Sequence, residues 1–253
     1  MSQVILQLEK IAKKYEEKEV LQDISFQIRE GDMIGYLGAN GAGKSTSIRM
    51  MTGLERADAG KIFFEGREIT GQDRVYQRSI GVVPQELAVY QDMSGYDNVK
   101  FFCSLYGYDK NEVKRRTKEA LEFVGLWENR KEKAGKYSGG MKRRLNIACA
   151  ITHSPKLLIM DEPTVGIDPQ SRNHIMEAIR KLHDRGTVVL YVSHYMEEIE
   201  ALCNRIVLVE KGKILKDCTK EALKEEYAKE SLYTLEDIFL SITGKQLRDE
   251  VGA

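Results

Sequence analysis

The 253-residue chain is short of cysteine, carries no excess of either charge and has no long apolar run, and each shortage closes off a class of function. Its four cysteines, Cys103, Cys149, Cys203 and Cys218, lie far apart and form no C-x-x-C pair. That argues against a zinc site and against a disulfide framework, and suits a reducing cytosol. Lys plus Arg, 39 in number, balance 39 Asp plus Glu, so no overall field draws the protein to nucleic acid or to an anionic membrane. No stretch approaches the roughly 20 apolar residues of a membrane span. The start, MSQVILQLEKIAKKY, interrupts its short apolar run with Glu9, Lys10, Lys13 and Lys14, unlike a signal peptide. Internal repeats and low-complexity tracts are missing as well. The expectation is a soluble globular protein which, if it acts at a membrane, is held there by another chain.

What is present is a 42% hydrophobic, 31% charged composition, ample for one large α/β domain or two small ones. Ile24, Phe26 and Ile28 alternate with polar residues, and GKIFFEGREI predicts a hairpin turning at Glu65-Gly66, so the first sixty-odd residues predict an antiparallel layer. Between them DMIGYLG runs into a glycine loop and STSIRMMTGL predicts a helix ending at Gly53. From Ser94 to His153 the pattern is helical, with Val113, Ala120, Leu121 and Val124 at helical spacing and Pro155 closing the stretch. KLLIMDEP, TVVLYVSH and RIVLVEKGKIL then read as apolar strands separated by helical segments, the mark of a parallel sheet covered on both faces.

Two phosphate-binding helix starts stand out. GANGAGKST, Gly38 to Thr46, fits G-x-x-x-x-G-K-[ST] in the strand-loop-helix context this motif needs. Its glycines let backbone N–H groups point at a β-phosphate, Lys44 reaches β/γ oxygens and Ser45 ligates Mg²⁺. LLIMDEP supplies the second element of such a site: a buried strand whose end delivers Asp161 to the Mg²⁺ shell, with Glu162 beside it to polarise water and Pro163 fixing the turn. YSGGM offers Ser138, Gly139 and Gly140 at the other helix start: one hydroxyl, bare backbone N–H groups and a positive helix end. Ser138 also reads simply as an N-cap, and Lys142, Arg143 and Arg144 behind it as a solvated basic face.

GANGAGKST, VVPQ, YSGGM, LLIMDEP, VGID and YVSH occur in the order and spacing of the ATP-binding subunits of ABC transporters, and over nearly its whole length the chain resembles that family. LEDIFLSITG, Tyr137 and Met141 resemble the subgroup serving exporters with separately encoded membrane subunits; the family more often has Leu and Gln at the latter two positions. The resemblance implies a P-loop NTPase: a mainly parallel central sheet, an N-terminal antiparallel β layer and an inserted helical subdomain. As a single domain over 1–253, its ATP-binding core would be 1–91 and 155–217, its helical subdomain 92–154 and its helical C-terminal extension 218–253. It implies ATP and Mg²⁺ as cofactors, with Gly38, Asn40, Gly41, Ala42, Gly43, Lys44, Ser45 and Thr46 around the phosphates and Ser45, Gln85 and Asp161 at the metal. Glu162, His194, Lys44 and Gln85 would be catalytic. Tyr15 would stack on adenine, with Tyr36 another ring near the loop.

The family also implies that Ser138, Gly139 and Gly140 face the nucleotide of a second copy packed head to tail, with Asp168 at the same interface. A separate transmembrane permease would hold the chain peripherally on the inner face of the cell membrane, contacting residues between Asp92 and Gly107. The alternative is a soluble ABC-type ATPase acting on nucleic acid or ribosomes, for which coiled-coil insertions, zinc cysteines or tandem halves would be expected.

Overall fold

The computed structural model describes residues 2–70, 73–229 and 232–244. It divides into two compact units, one drawn from the chain up to Gln77 and from Val188 onward, the other from Arg78–Thr187.

The first unit opens with long strands β1 (Val4–Tyr15) and β2 (Lys18–Arg29), followed by the wholly buried β3 (Met33–Leu37). Helix α1 (Lys44–Met51) follows the glycine loop, and Gly53 just beyond it has φ 71°, the left-handed stop that the sequence predicts. β4 (Ala59–Phe64), β5 (Arg67–Glu68) and the short α2 (Arg74–Gln77) complete this segment. β1 pairs antiparallel with β2 and β4, and β4 with β5 through Phe64 and Arg67, so the hairpin turns at Glu65-Gly66. Ile24, Phe26 and Ile28 are buried at two-residue spacing, which turns one face of β2 to the core, although its pairing with β1 is interrupted by register shifts.

The second unit begins with β6 (Ile80–Val83), continues through α3 (Gly95–Ser104), α4 (Lys110–Phe123) and α5 (Gly139–Ile151), and closes with β7 (Leu157–Asp161) and α6 (Pro169–Asp184). Each of these four helices starts on a capping side chain: Ser94, Asp109, Ser138 and Asp168. Val113, Ala120, Leu121 and Val124 are buried, as their spacing predicts. β6 and β7 pair in parallel, Val83 opposite Met160. The helices within 92–154 are α3, α4 and α5, with a 3₁₀ turn at Ala134–Lys136; the compact unit also takes in β6, β7 and α6.

The chain then returns to the first unit with β8 (Val188–Val192), α7 (Met196–Leu202), β9 (Arg205–Glu210), β10 (Lys213–Thr219), α8 (Lys220–Ala228) and α9 (Leu235–Thr243). β3 lies between β8 and β9, parallel to both. The run Arg205–Leu215, expected as one strand, is two: Lys211 and Gly212 take φ 47° and 74°, and the chain folds back so that β10 pairs antiparallel with β9. Two successive left-handed residues make a tight hairpin turn that an apolar pattern alone does not reveal. The C-terminal extension is helical in α8 and α9, the latter burying Leu235, Ile238 and Phe239; residues 245–253 lie outside the described residues.

Candidate functional site

In the first unit the candidate residues of the glycine loop and His194 follow the carboxyl ends of β3 and β8, and Tyr15 ends β1. Strand β3 is buried on both faces and delivers the loop Gly38–Gly43, whose backbone is packed tightly from behind. A side chain at Gly38 would collide with the Val209 carbonyl, and Gly212 N donates to Ala42 O at 2.9 Å. Gly43 is the N-cap of α1 and offers no side-chain acceptor, so the first-turn N–H groups of this helix have no side-chain cap. Lys44 is buried, with Nζ donating to the carbonyls of Gly38 at 2.7 Å and Ala39 at 3.2 Å, so its charge is held over the loop. Ser45 is exposed and Thr46 half-buried.

The two aromatic candidates separate clearly. Tyr36 is fully buried, stacks on Phe26 and shares a 2.8 Å hydrogen bond with Ser47 Oγ, and burial raises its phenol well above the ordinary range. It belongs to the core. Tyr15, at the end of β1, is 39% exposed and donates to Glu55 Oε2 at 2.6 Å. That carboxylate raises the phenol pKa, while the Thr46 hydroxyl acts on the same oxygen in the opposite sense. The ring thus stands at the surface beside the end of the glycine loop.

The parallel register Gly35 opposite Tyr191 puts His194 at the same sheet end as the loop. The segment around His194 is braced by a residue that the sequence reading did not single out. Glu198, buried in α7, accepts from Tyr191 OH at 2.7 Å and Ser193 Oγ at 2.9 Å, and Tyr195 N donates to Ser193 Oγ at 3.0 Å.

In the second unit, Gln85 follows β6 and Glu162 follows β7, and the parallel pairing of these strands brings the two side chains together: Gln85 Nε2 donates to Glu162 Oε2 at 2.9 Å. Glu162 is buried and sits at φ 48°, a conformation costly for a residue with a side chain and concentrated at functional sites. Asp161 beside it is half-buried. Ser138 caps α5 by accepting from Met141 N at 3.2 Å and is itself exposed. Asp168 caps α6, and the backbone and hydroxyl of Ser171 depress its pKa. The starts of α5 and α6 touch: a side chain at Gly140 would run into Ser171, with Asp168 Oδ2 3.5 Å away. Ser138–Gly140 and Asp168 therefore share one end of this unit, and Ser171, absent from the sequence reading, is what joins them.

A further expectation is overturned. Arg143 is not part of a solvated face; it is 4% exposed and donates to Pro84 O at 2.7 Å and Gln85 O at 2.6 Å. Lys142 and Arg144 are half-buried, and Arg144 donates to Val124 O at 2.9 Å. Successive helix residues are turned about 100° apart, so three in a row cannot share one outer face; that signal was available in the sequence. Tyr137 is likewise inside, its hydroxyl donating to Asn129 O at 2.7 Å.

Ser45 in the first unit presents a hydroxyl, and in the second unit Gln85 presents an amide oxygen and Asp161 a carboxylate; each is a hard oxygen donor of the kind Mg²⁺ accepts. No cluster of three or more His, Cys, Asp or Glu suited to a metal exists among the described residues.

The pattern described as ABC transporter matches residues 21–165. The linearmycin resistance ATP-binding protein LnrL of Bacillus subtilis (strain 168) is 48% identical over 219 residues, 87% of this chain and 70% of that protein. The Nod factor export ATP-binding protein I of Rhizobium sp. (strain N33) is 40% identical over 227 residues, 90% of this chain and 75% of its own length. Among solved structures, an ATP-binding subunit of an ABC transporter superposes with a TM-score of 0.84 at 25% identity, covering 94% of this chain and 99% of that one.

Proposed function

The chain belongs to the ABC transporter family of ATP-binding subunits, and from that premise we propose that it powers a separate membrane-spanning exporter by ATP-driven closing and opening of a head-to-tail dimer. Members of the family bind ATP with Mg²⁺ and hydrolyse it. The relatives named above are a resistance protein and an export protein, which supports transport out of the cell and offers nothing for a role on nucleic acid or ribosomes.

The observation that carries the chemistry is the pair Gln85–Glu162. Glu162 is a carboxylate held by an amide donor at the end of a parallel strand, in a conformation maintained against its cost. In this reading Glu162 takes the proton of the attacking water, and Gln85 orients the Glu162 carboxylate and offers its remaining oxygen to the metal. Lys44 and the loop N–H groups hold the phosphates, His194 contacts the γ-phosphate, and Tyr15 stacks on adenine. Asp161 and Ser45 would hold Mg²⁺, which supplies charge neutralisation to the leaving phosphate when bound. Ser138–Gly140 would meet the nucleotide of the second copy, and Asp168 would lie at that same interface.

No helix among the described residues is long and apolar enough to cross a membrane, so the exporter's channel is assigned to another chain, with this subunit at its cytoplasmic side. Tyr90, Phe101 and Leu105 are exposed at 50%, 38% and 64%, and Tyr90 packs edge-on against Phe101 at 5.3 Å. Phe101 and Leu105, with Tyr90 just ahead of the stretch, support docking of that partner along Asp92–Gly107.

Purified chain carrying Glu162→Gln tests the reading: MgATP binding should persist while turnover falls about 10²–10⁴-fold, because an amide cannot accept the proton. Stable ATP-dependent dimers of this variant are expected; near-normal hydrolysis would remove Glu162 from the role of base.

A further inference from the structure

The helix that begins at Ser138 also grips the backbone on which Gln85 stands. Beyond Val83 the β6–β7 ladder ends, and the next two carbonyls, Pro84 and Gln85, need donors from elsewhere. Arg143 supplies both from one planar guanidinium, Nη1 to Pro84 at 2.7 Å and Nη2 to Gln85 at 2.6 Å. A planar, two-pronged donor fixes orientation as well as distance, which a lysine ammonium does not. The side chain is 4% exposed, so these contacts are shielded from competing water. Gln85 then donates to Glu162 at 2.9 Å. Arg143 lies five residues after the Ser138 cap in the same continuous helix, so a displacement of the Ser138 end is carried to the guanidinium by a rigid rod roughly 7–8 Å long.

We propose that Arg143 is a positioning residue for ATP hydrolysis. It ties α5 to Gln85, and through Gln85 to Glu162, so that contact of Ser138–Gly140 with one nucleotide sets the geometry of the base serving the other. The inference rests on the roles proposed above for Gln85, Glu162 and Ser138. It adds a link between the residue that would report on the partner's nucleotide and the residues that would act on the chain's own.

Steady-state ATPase of the full chain tests it, with kcat and KM measured for Arg143→Met and Arg143→Lys, each with wild-type Gln85 and with Gln85→Ala. Arg143→Met should lower kcat roughly 10-fold while KM stays within about 3-fold, since misplacement of a catalytic group acts on the chemical step. Arg143→Lys, with charge but no fork, should fall between wild type and Arg143→Met; it carries the test if Arg143→Met does not fold. With Gln85→Ala already in place, either substitution should change kcat by less than about 2-fold, because the route is already cut. A packing role alone would lower the unfolding temperature and reduce turnover equally in both backgrounds; that equality, or wild-type kcat in both Arg143 variants, overturns the proposal. Wild-type turnover in Gln85→Ala alone would overturn the role proposed for Gln85 and this route with it, a different result from additivity.

Discussion

Gly140 and Ser171 lie against each other where the first turns of α5 and α6 meet, leaving no room for a side chain at position 140. The Ser171 Cβ as well as its hydroxyl occupies the space a side chain at Gly140 would need, so rotating the serine does not relieve the clash. Gly140→Ala should therefore destabilise the protein by about 1–3 kcal/mol through overpacking. Ser171→Gly opens the space, and the double variant should recover more than about 1 kcal/mol relative to the sum of the single changes. Urea unfolding midpoints measure this. Simple additivity would mean that the two helix starts do not meet.

Ser138–Gly140 and Asp168 sit together at those helix starts, and the proposal assigns them to the partner's nucleotide. Lys44→Ala disables the glycine loop and Ser138→Arg blocks the second helix start. If sites are shared between chains, pairing the two single mutants leaves one complete site, whereas pairing wild type with the double mutant leaves none. ATPase is expected only in the first heterodimer, assayed on tagged, purified pairs; where turnover requires both sites, ATP trapping reads the same difference. Activity confined to the second pairing would assign Ser138 to its own chain's nucleotide.

Tyr15 offers an exposed ring whose hydroxyl is occupied by Glu55. Tyr15→Ala should raise the Kd for ATP roughly 2- to 10-fold, since an aromatic stack is worth about 0.5–1.5 kcal/mol beyond buried area. Tyr15→Phe loses the Glu55 bond but keeps the ring, and should bind ATP almost normally. Equal, wild-type affinity in both variants, measured by calorimetry, would remove Tyr15 from the adenine site.

His153 gives the protein an acid limit. Its ring is 6% exposed, stacks on Tyr106 at 3.9 Å, and Nε2 donates to Ile80 O at 2.8 Å. Burial first, and the Arg116 charge in addition, push its pKa down to about 4. In the unfolded chain the group would titrate near 6.5. The unfolded state therefore binds the proton first, so stability is full above about pH 6.5 and falls as pH drops toward 4, by up to about 3 kcal/mol. His153→Gln keeps a donor for Ile80 O and cannot charge, so its stability should be flatter between pH 6.5 and 4.5. Parallel pH profiles of the two proteins would show that another group sets the limit.

Much of the candidate site is legible in the sequence because the chemistry proposed for it depends on short-range order. A glycine loop between an apolar strand and a helix, ending in Lys44-Ser45, has few other uses, and the acidic pair Asp161-Glu162 at the end of a four-residue apolar strand follows the same logic. The hairpin at Glu65-Gly66 and the helix cap at Ser138 are equally local, set by residues within three or four positions of one another.

What only the tertiary structure decided is which polar side chains turn inward and what they meet there. Arg143 finds its acceptors 58 and 59 residues earlier in the chain, at Gln85 and Pro84, and Gln85 finds Glu162 77 residues later. Tyr15 and Tyr36 are both strand aromatics, yet one ends at the surface beside Thr46 and the other under Phe26. Glu198 bracing the strand end just before His194, and Ser171 closing on Gly140, are of the same kind. By itself the sequence determined the pattern of the glycine loop and of the acidic strand end, because that pattern is set by neighbours in the chain. The placement of the residues that support them was decided by folding, because a buried polar group is stable only where distant backbone or side chains satisfy it.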